Sequence, residues 1–377
     1  MANSFTETRD SRNIDKIREI EDELPQVVTE FMNDSRIRDL TTLTRLGYIR
    51  DLRTFFYFLP QRVRFLRGVH PSQITTEQLG ALKKTDFDMY PDYLDKYVKP
   101  KYGTDDVYQP DTQAPYTKAR RSVKDKEPIG ATKNSSSGRA RKIVAVRAFF
   151  KYLFENKYIE TNYTELLHVP KIPEKEIIYL KENEIARVLE TVRNGFGEGK
   201  QASFLEKTRR RDMAIMSLLL ATGIRASECI GLDIEHINMA DKSFVVTRKG
   251  GKEKRLFFNQ TVADILQEYL DERTEIEPVE GHEHALFLSS QRKRMSPKAL
   301  QNLVKKYASA ACPDKEHLSP HKMRASFGTA LYRKKGILTV ANTLGHSNIN
   351  TTKKHYIHAD EEERAEAAEA VDWIPEN

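Results

Sequence analysis

The chain has 377 residues, 39% hydrophobic, 31% charged and 9% aromatic, a balance that excludes both a wholly disordered and a membrane-embedded protein. Lys and Arg number 62 against 55 Asp and Glu, a net charge of +7, but residues 359–377 hold eight acids and one arginine, so residues 1–358 carry +14 against −7 in the tail. An acidic end masks a basic body. The length predicts about two or three domains. Cys229 and Cys312 cannot build a disulfide framework and lack the paired spacing of a zinc site. The apolar run 213–221 is too short to span a bilayer, and the first 30 residues lack a signal-peptide core, so the expectation is a cytoplasmic protein without a membrane anchor.

In chain order, residues 1–22 are polar with no regular apolar period and read as a flexible leader. From Leu24 the pattern turns helical, with Val27, Val28, Phe31 and Met32 at i, i+3, i+4 spacing. A second helix takes Thr44 as N-cap, puts Leu46, Ile49, Leu52, Phe55, Phe56 and Leu59 on one side, and ends at Pro60. A third is expected over 74–82 and a fourth over 88–98, with Pro91 in its first turn. Residues 99–131 are rich in Pro, Asp, Lys and Tyr without an apolar period, which predicts a polar insertion. Helical order resumes after Ser135, Ser136 and Ser137, where Ile143, Val146, Phe149, Phe150, Leu153 and Phe154 form a wide apolar face.

Two prolines and several charges over 169–176 predict an extended linker between a helical unit, 23–168, and a second domain, 177–358. In the second domain the pattern predicts helices over 183–192, 211–221, 261–271 and 297–308. It also predicts a β-hairpin of 244–248 with 255–258 around Gly250-Gly251. The tail 359–377, with Ala367, Ala370, Val371 and Ile374 at helical spacing, reads as an acidic C-terminal helix or tail.

Nucleotide and metal signatures are missing. Gly250-Gly251-Lys252 is followed by Glu253 where a phosphate-binding loop needs Ser or Thr, and His282-Glu283-His284 lies in a polar loop without a further ligand group. Catalysis is therefore expected to use no metal and no cofactor. What stands out instead is a set of cations and one tyrosine. Arg225 follows the Gly223 break with Glu228 three residues on as its natural ion-pair partner; Lys249 sits at the hairpin tip. His321 and Arg324 share a helix face after Ser319-Pro320, and His346 and Tyr356 follow within a turn-rich, basic segment. Taken singly, each reads as an ordinary structural or solvated group.

In order along the chain, Ala221-Thr-Gly-Ile-Arg-Ala-Ser-Glu228, Lys249-Gly-Gly-Lys-Glu-Lys-Arg255, Ser319-Pro-His-Lys-Met-Arg324 and Leu344-Gly-His-Ser-Asn-Ile-Asn-Thr-Thr-Lys-Lys-His-Tyr356 resemble the boxes of tyrosine site-specific recombinases, the phage integrase and Xer-like family. Thr44-Arg-Leu-Gly-Tyr-Ile-Arg50-Asp-Leu52 and the helix from Ser136 resemble the first and last helices of that family's core-binding domain. The resemblance spans most of residues 24–365. It implies a mainly α fold, with a helical, SAM-like core-binding domain followed by a mixed α/β catalytic domain of helices and a small antiparallel sheet.

The same resemblance implies the chemistry. Arg225, Arg324 and His346 would hold the scissile phosphate, Tyr356 would attack it to form a 3′-phosphotyrosyl linkage, Lys249 would protonate the leaving 5′-oxygen and His321 would assist proton transfer. Family members often carry a second histidine directly after the motif arginine; here that position is Ala325. The implied partner is a double-stranded DNA recombination site, bound as a tetramer on two sites with the C-terminal tail contacting a neighbour. Thr44, Arg45, Arg50, Arg139, Arg141 and Lys142 are the expected DNA contacts. A leader this short predicts no separate arm-site domain, and the 99–131 insertion favours a mobile-element integrase over a housekeeping resolvase. Two other readings are a type IB topoisomerase-like enzyme and a DNA-binding regulator with silent chemistry. Intact Arg225 and Tyr356 speak against the regulator, and the wording and spacing of the boxes favour the recombinase over the topoisomerase.

Overall fold

The computed structural model describes residues 4–96, 98–99, 132–172, 178–248 and 252–345, and the chain divides into two compact units, Met1–Glu174 and Lys175–Asn377. Most of the expected insertion, part of the expected linker, Lys249, His346, Tyr356 and the acidic tail lie outside the described residues.

The first unit is helical: α1 Ser4–Glu21, α2 Gln26–Asn33, α3 Ser35–Arg38, α4 Thr42–Arg62, α5 Thr76–Gly80, α6 Lys84–Lys96 and α7 Ser136–Glu155, with a two-residue antiparallel pairing of β1 Val98–Lys99 and β2 Thr132–Lys133. Its core is aromatic. Phe55, Phe56, Phe149 and Phe150 are fully or almost fully buried. Phe150 meets the edges of Phe55 and Phe87 at centroid distances of 5.7 and 4.9 Å, near-perpendicular arrangements that suit the ring quadrupoles.

Several boundaries differ from expectation, each for a local reason. The leader is not flexible where it is described: residues 4–21 are helix, with Asn13, Ile17 and Ile20 buried at i, i+4, i+7 spacing and Thr42 bonded to both Asn13 and Asp10. One polar and two apolar residues make a stripe too sparse to recognise without the surface it meets. The N-cap of α4 is Thr41, whose hydroxyl accepts the Thr44 N–H, and Thr44 lies inside the helix. Pro60 does not stop α4, because so near the end it forfeits one hydrogen bond while Val63 N–H still reaches Leu59 O at 2.8 Å. Pro91 falls in mid-helix for the complementary reason: α6 begins at Lys84, earlier than the apolar pattern indicates. The third helix shrinks to α5, started by a Thr75–Gln78 capping box.

The second unit contains α8 Glu182–Asn194, α9 Lys200–Thr222, α10 Ala226–Ile230, α11 Gln260–Thr274, α12 Pro297–Ala311 and α13 Pro320–Leu344. Beside them lies a three-stranded antiparallel sheet of β3 Ile237–Asn238, β4 Ser243–Thr247 and β5 Glu253–Phe257 in that order, with Val245 opposite Arg255. The fold is mainly α with a small antiparallel sheet, as the resemblance implies. Helix α9 is the axis of the unit: Ala214, Ile215, Met216, Leu218 and Leu219 are wholly buried, and α8, α10, α11 and α13 pack against it. Asp212, fully buried on α9, is neutralised by Arg211 at 2.6 Å and Lys306 at 3.3 Å and accepts the Tyr307 hydroxyl at 2.9 Å. Burial, and then that carboxylate, push the Tyr307 phenol well above its ordinary value, so it stays a donor. Helix α13 is interrupted at Gly336, where φ is 75° and ψ 174°. Among the described residues no helix is long and apolar enough to cross a membrane.

Candidate active site

The site assembles where α9 ends, α10 begins and both ends of α13 return. Helix α9 is closed by Gly223 in the left-handed region, φ 62° and ψ 24°, its N–H donating to Leu219 O at 3.2 Å. A Cβ there would collide with Phe327 and Leu344 as well as strain the backbone, so only glycine permits this approach of α13. Two residues later Arg225 is the N-cap of α10. Its backbone N–H donates to Glu228 Oε2 at 3.0 Å and its guanidinium to Oε1 at 2.6 Å. Glu228 is 5% exposed and Arg225 34%, so a buried carboxylate orients a guanidinium that still reaches solvent.

Arg324, on the first half of α13, is buried; its Nη1 donates to Gly223 O and its Nη2 to Leu344 O at 2.5 Å. One guanidinium thus fastens the turn after α9 to the turn that closes α13. His321, one turn earlier on the same helix, is exposed. The sequence pattern missed Arg248, which follows β4. This side chain is 12% exposed, its Nη2 donates to Thr343 O at 3.2 Å, and its Nε faces Glu228 Oε1 at 3.6 Å. Nothing in residue spacing marks it, because it is the fold that brings the strand end to the α13 turn.

The structure therefore brings together Arg225, Arg324, Arg248 and Glu228. Arg225 and Arg248 share the one carboxylate of Glu228 while Arg324 binds the adjoining turns, so the charges sum to a net positive centre, suited to an anion whose charge must be neutralised for attack. Chain connectivity adds that Lys249 directly follows Arg248 and His346 directly follows Gly345. Among the described residues no cluster of three or more His, Cys, Asp or Glu is placed to hold a metal ion.

The residues expected to contact DNA all lie in the first unit and differ in surroundings. Arg50 and Thr44 are exposed, Thr44 sharing a hydroxyl hydrogen bond with Thr41 at 2.8 Å. Arg45 is half-buried, with Nη2 3.5 Å from Met32 O. Arg139 is ion-paired with Asp95. Arg141 remains 54% exposed while bonded to Asp51 at 2.9 Å. Lys142 corrects the expectation: its side chain is 6% exposed and lies 3.2 Å from the buried Asp51, an interior ion pair with no surface to offer a phosphate.

Residues 179–363 match the phage integrase family. The chain is 29% identical over 351 residues to tyrosine recombinase XerC of Caldanaerobacter subterraneus, covering 91% of this chain and 86% of that protein. It is 32% identical over 229 residues to XerC of Corynebacterium efficiens, covering 60% and 69% respectively. Among solved structures it resembles the XerH recombinase bound to its difH substrate, with TM-score 0.56, 20% identity and coverage of 89% and 82%. The Tn1549 transposon integrase bound to transposon right-end DNA gives TM-score 0.58, 16% identity and coverage of 91% and 98%. At these identities the structural likeness establishes the fold.

Proposed function

The chain belongs to the phage integrase family of tyrosine recombinases and is an Xer-type site-specific recombinase; from that premise we propose which of its residues cut and rejoin DNA. Arg225 and Arg324 neutralise the non-bridging oxygens of the scissile phosphate, with His346 donating to the same group. The Tyr356 oxygen attacks phosphorus as His321 assists removal of its proton. The P–O5′ bond breaks as Lys249 protonates the leaving oxygen, and a 3′-phosphotyrosyl linkage remains. The bond energy is retained in that linkage, so a 5′-hydroxyl attacking it restores a phosphodiester without ATP. The observation that supports this reading is that Arg324 is held by the carbonyls of Gly223 and Leu344 while Arg225, two residues after Gly223, is held by Glu228, so both guanidiniums are fixed at the turn after α9.

The partner is duplex DNA, gripped by the helical unit and the catalytic unit, with phosphate contacts supplied by the +14 body. Thr44, Arg45, Arg50, Arg139 and Arg141 are the proposed contacts in the helical unit. The active assembly is a tetramer on two sites, its acidic tail 359–377 touching a neighbour, and it works in the cytoplasm. The test uses suicide substrates carrying the native site. Wild-type protein should become covalently attached to DNA and Tyr356→Phe should not; an adduct that survives the substitution defeats the assignment. Strand exchange between two sites, rather than relaxation of a supercoil alone, separates this reading from a topoisomerase-like one.

A further inference from the structure

We propose that Arg248 is a positioning residue of the recombination site, a buried guanidinium that ties the end of β4 to the turn closing α13 and so places the chain that continues into Lys249. The inference rests on the recombinase reading and concerns a residue that none of the motif boxes contains.

Three features of its surroundings point this way. First, Arg248 touches two separate parts of the site at once: Nη2 donates to Thr343 O at 3.2 Å, and Nε faces Glu228 Oε1 at 3.6 Å. Glu228 is the same carboxylate that orients Arg225, and the 343–345 turn is the one whose Leu344 carbonyl accepts from Arg324. Arg248 thus links the end of β4 to the carboxylate that Arg225 uses and to the carbonyl next to the one Arg324 uses. Second, the turn is shaped around it. Gly345 has φ 65° and ψ 52°, and a Cβ on it would collide with Arg248 Nη1, so the backbone closes directly onto the guanidinium.

Third, the arrangement is costly in isolation. Nε is buried and makes no hydrogen bond, and burial lowers the guanidinium pKa, opposed by Glu228 and reinforced by the charge on Arg225. A long apolar side chain would pack β4 against the turn without any of this. An arginine instead fixes direction, because its planar fork spans a carboxylate on one side and a carbonyl on the other. Sequence connectivity turns that direction into chemistry: the residue after Arg248 is Lys249, the proposed acid for the leaving 5′-oxygen, and a catalytic group displaced by about 1 Å loses about 100-fold in rate.

The test compares wild-type, Arg248→Met and Arg248→Lys full-length protein in single-turnover cleavage of two suicide substrates. One has an ordinary scissile phosphodiester. The other has sulfur in place of the 5′-bridging oxygen, which leaves as a thiolate and needs no proton. On the phosphodiester, Arg248→Met should form the Tyr356 adduct about 100-fold more slowly, with DNA affinity within about 3-fold of wild-type. On the sulfur substrate it should approach the wild-type rate, and Arg248→Lys should fall between the two because it keeps the charge but not the fork. A wild-type rate for Arg248→Met on the phosphodiester overturns the proposal. An equal loss on both substrates does so too, since a residue that only stabilises the fold would slow both. If wild-type protein forms no adduct dependent on Tyr356, the recombinase assignment fails instead, and the two failures are read from different samples.

Discussion

Arg141 and Lys142 are neighbours on α7 and are indistinguishable as basic residues in the sequence, yet Asp51 gives them different fates. Lys142 and Asp51 form a buried, electroneutral pair, so the charge on Arg141 is surplus and stays half-exposed. Gly47 helps to hold it: a Cβ there would come within 3.1 Å of Arg141 Nη1, so the guanidinium lies across bare helix backbone. A cation held in place at the surface is better prepared to meet a phosphate than a freely rotating one. Accordingly, Arg141→Ala should weaken DNA binding on all sequences and reduce the slope of log affinity against log salt by about 0.9. Lys142→Met should leave that slope unchanged, and titrations at several salt concentrations distinguish the two. At the site itself, the Arg225–Glu228 pair was legible from three-residue spacing after a glycine. Arg248 was not, because its partners lie 20 and 95 positions away and no local pattern encodes such a distance.

Among the elements, those with a dense apolar stripe were readable and those with a sparse one were not. Helix α7 emerges directly from its serine caps and its apolar face, with Ser135 accepting the Gly138 N–H. Helix α1 is the opposite case. Its stability comes from tertiary contact, since mean apolarity is low and, among its described side chains, Ile17 and Ile20 are the ones that reach the core of the unit. This has a direct test: Ile17→Ala should lower unfolding stability by about 2 kcal/mol if α1 is packed, read from the urea midpoint. No change would return residues 4–21 to the status of a loose leader. The prolines teach a related lesson. Pro60 and Pro91 both sit inside helices because the packing of Phe58 and Leu59, and of Tyr90, Tyr93 and Leu94, outweighs one missing hydrogen bond.

For the molecule as a whole, charge and fold answer different questions. The +14 of residues 1–358 suits a polyanion, while the −7 of the tail does not, and that charge supports the proposal that the tail meets a protein neighbour. Truncation after Ala359 should therefore reduce two-site assembly and concerted strand exchange more than single-site DNA binding, measured by native gel shifts on one-site and two-site DNA. Unchanged tetramer formation would remove the tail from the interface. The sequence by itself determined the family, the mainly helical class and the order of the motif boxes, because these rest on residue types at short range and on apolar periodicity. Tertiary structure decided what no short-range pattern contains: that Lys142 is an interior ion pair, that residues 4–21 are a packed helix, and that Arg248 joins Arg225 at Glu228 and reaches the turn that Arg324 binds. The physical reason is common to all three. Burial and ion pairing are set by what lies opposite a side chain, and the opposite residue comes from a distant part of the chain.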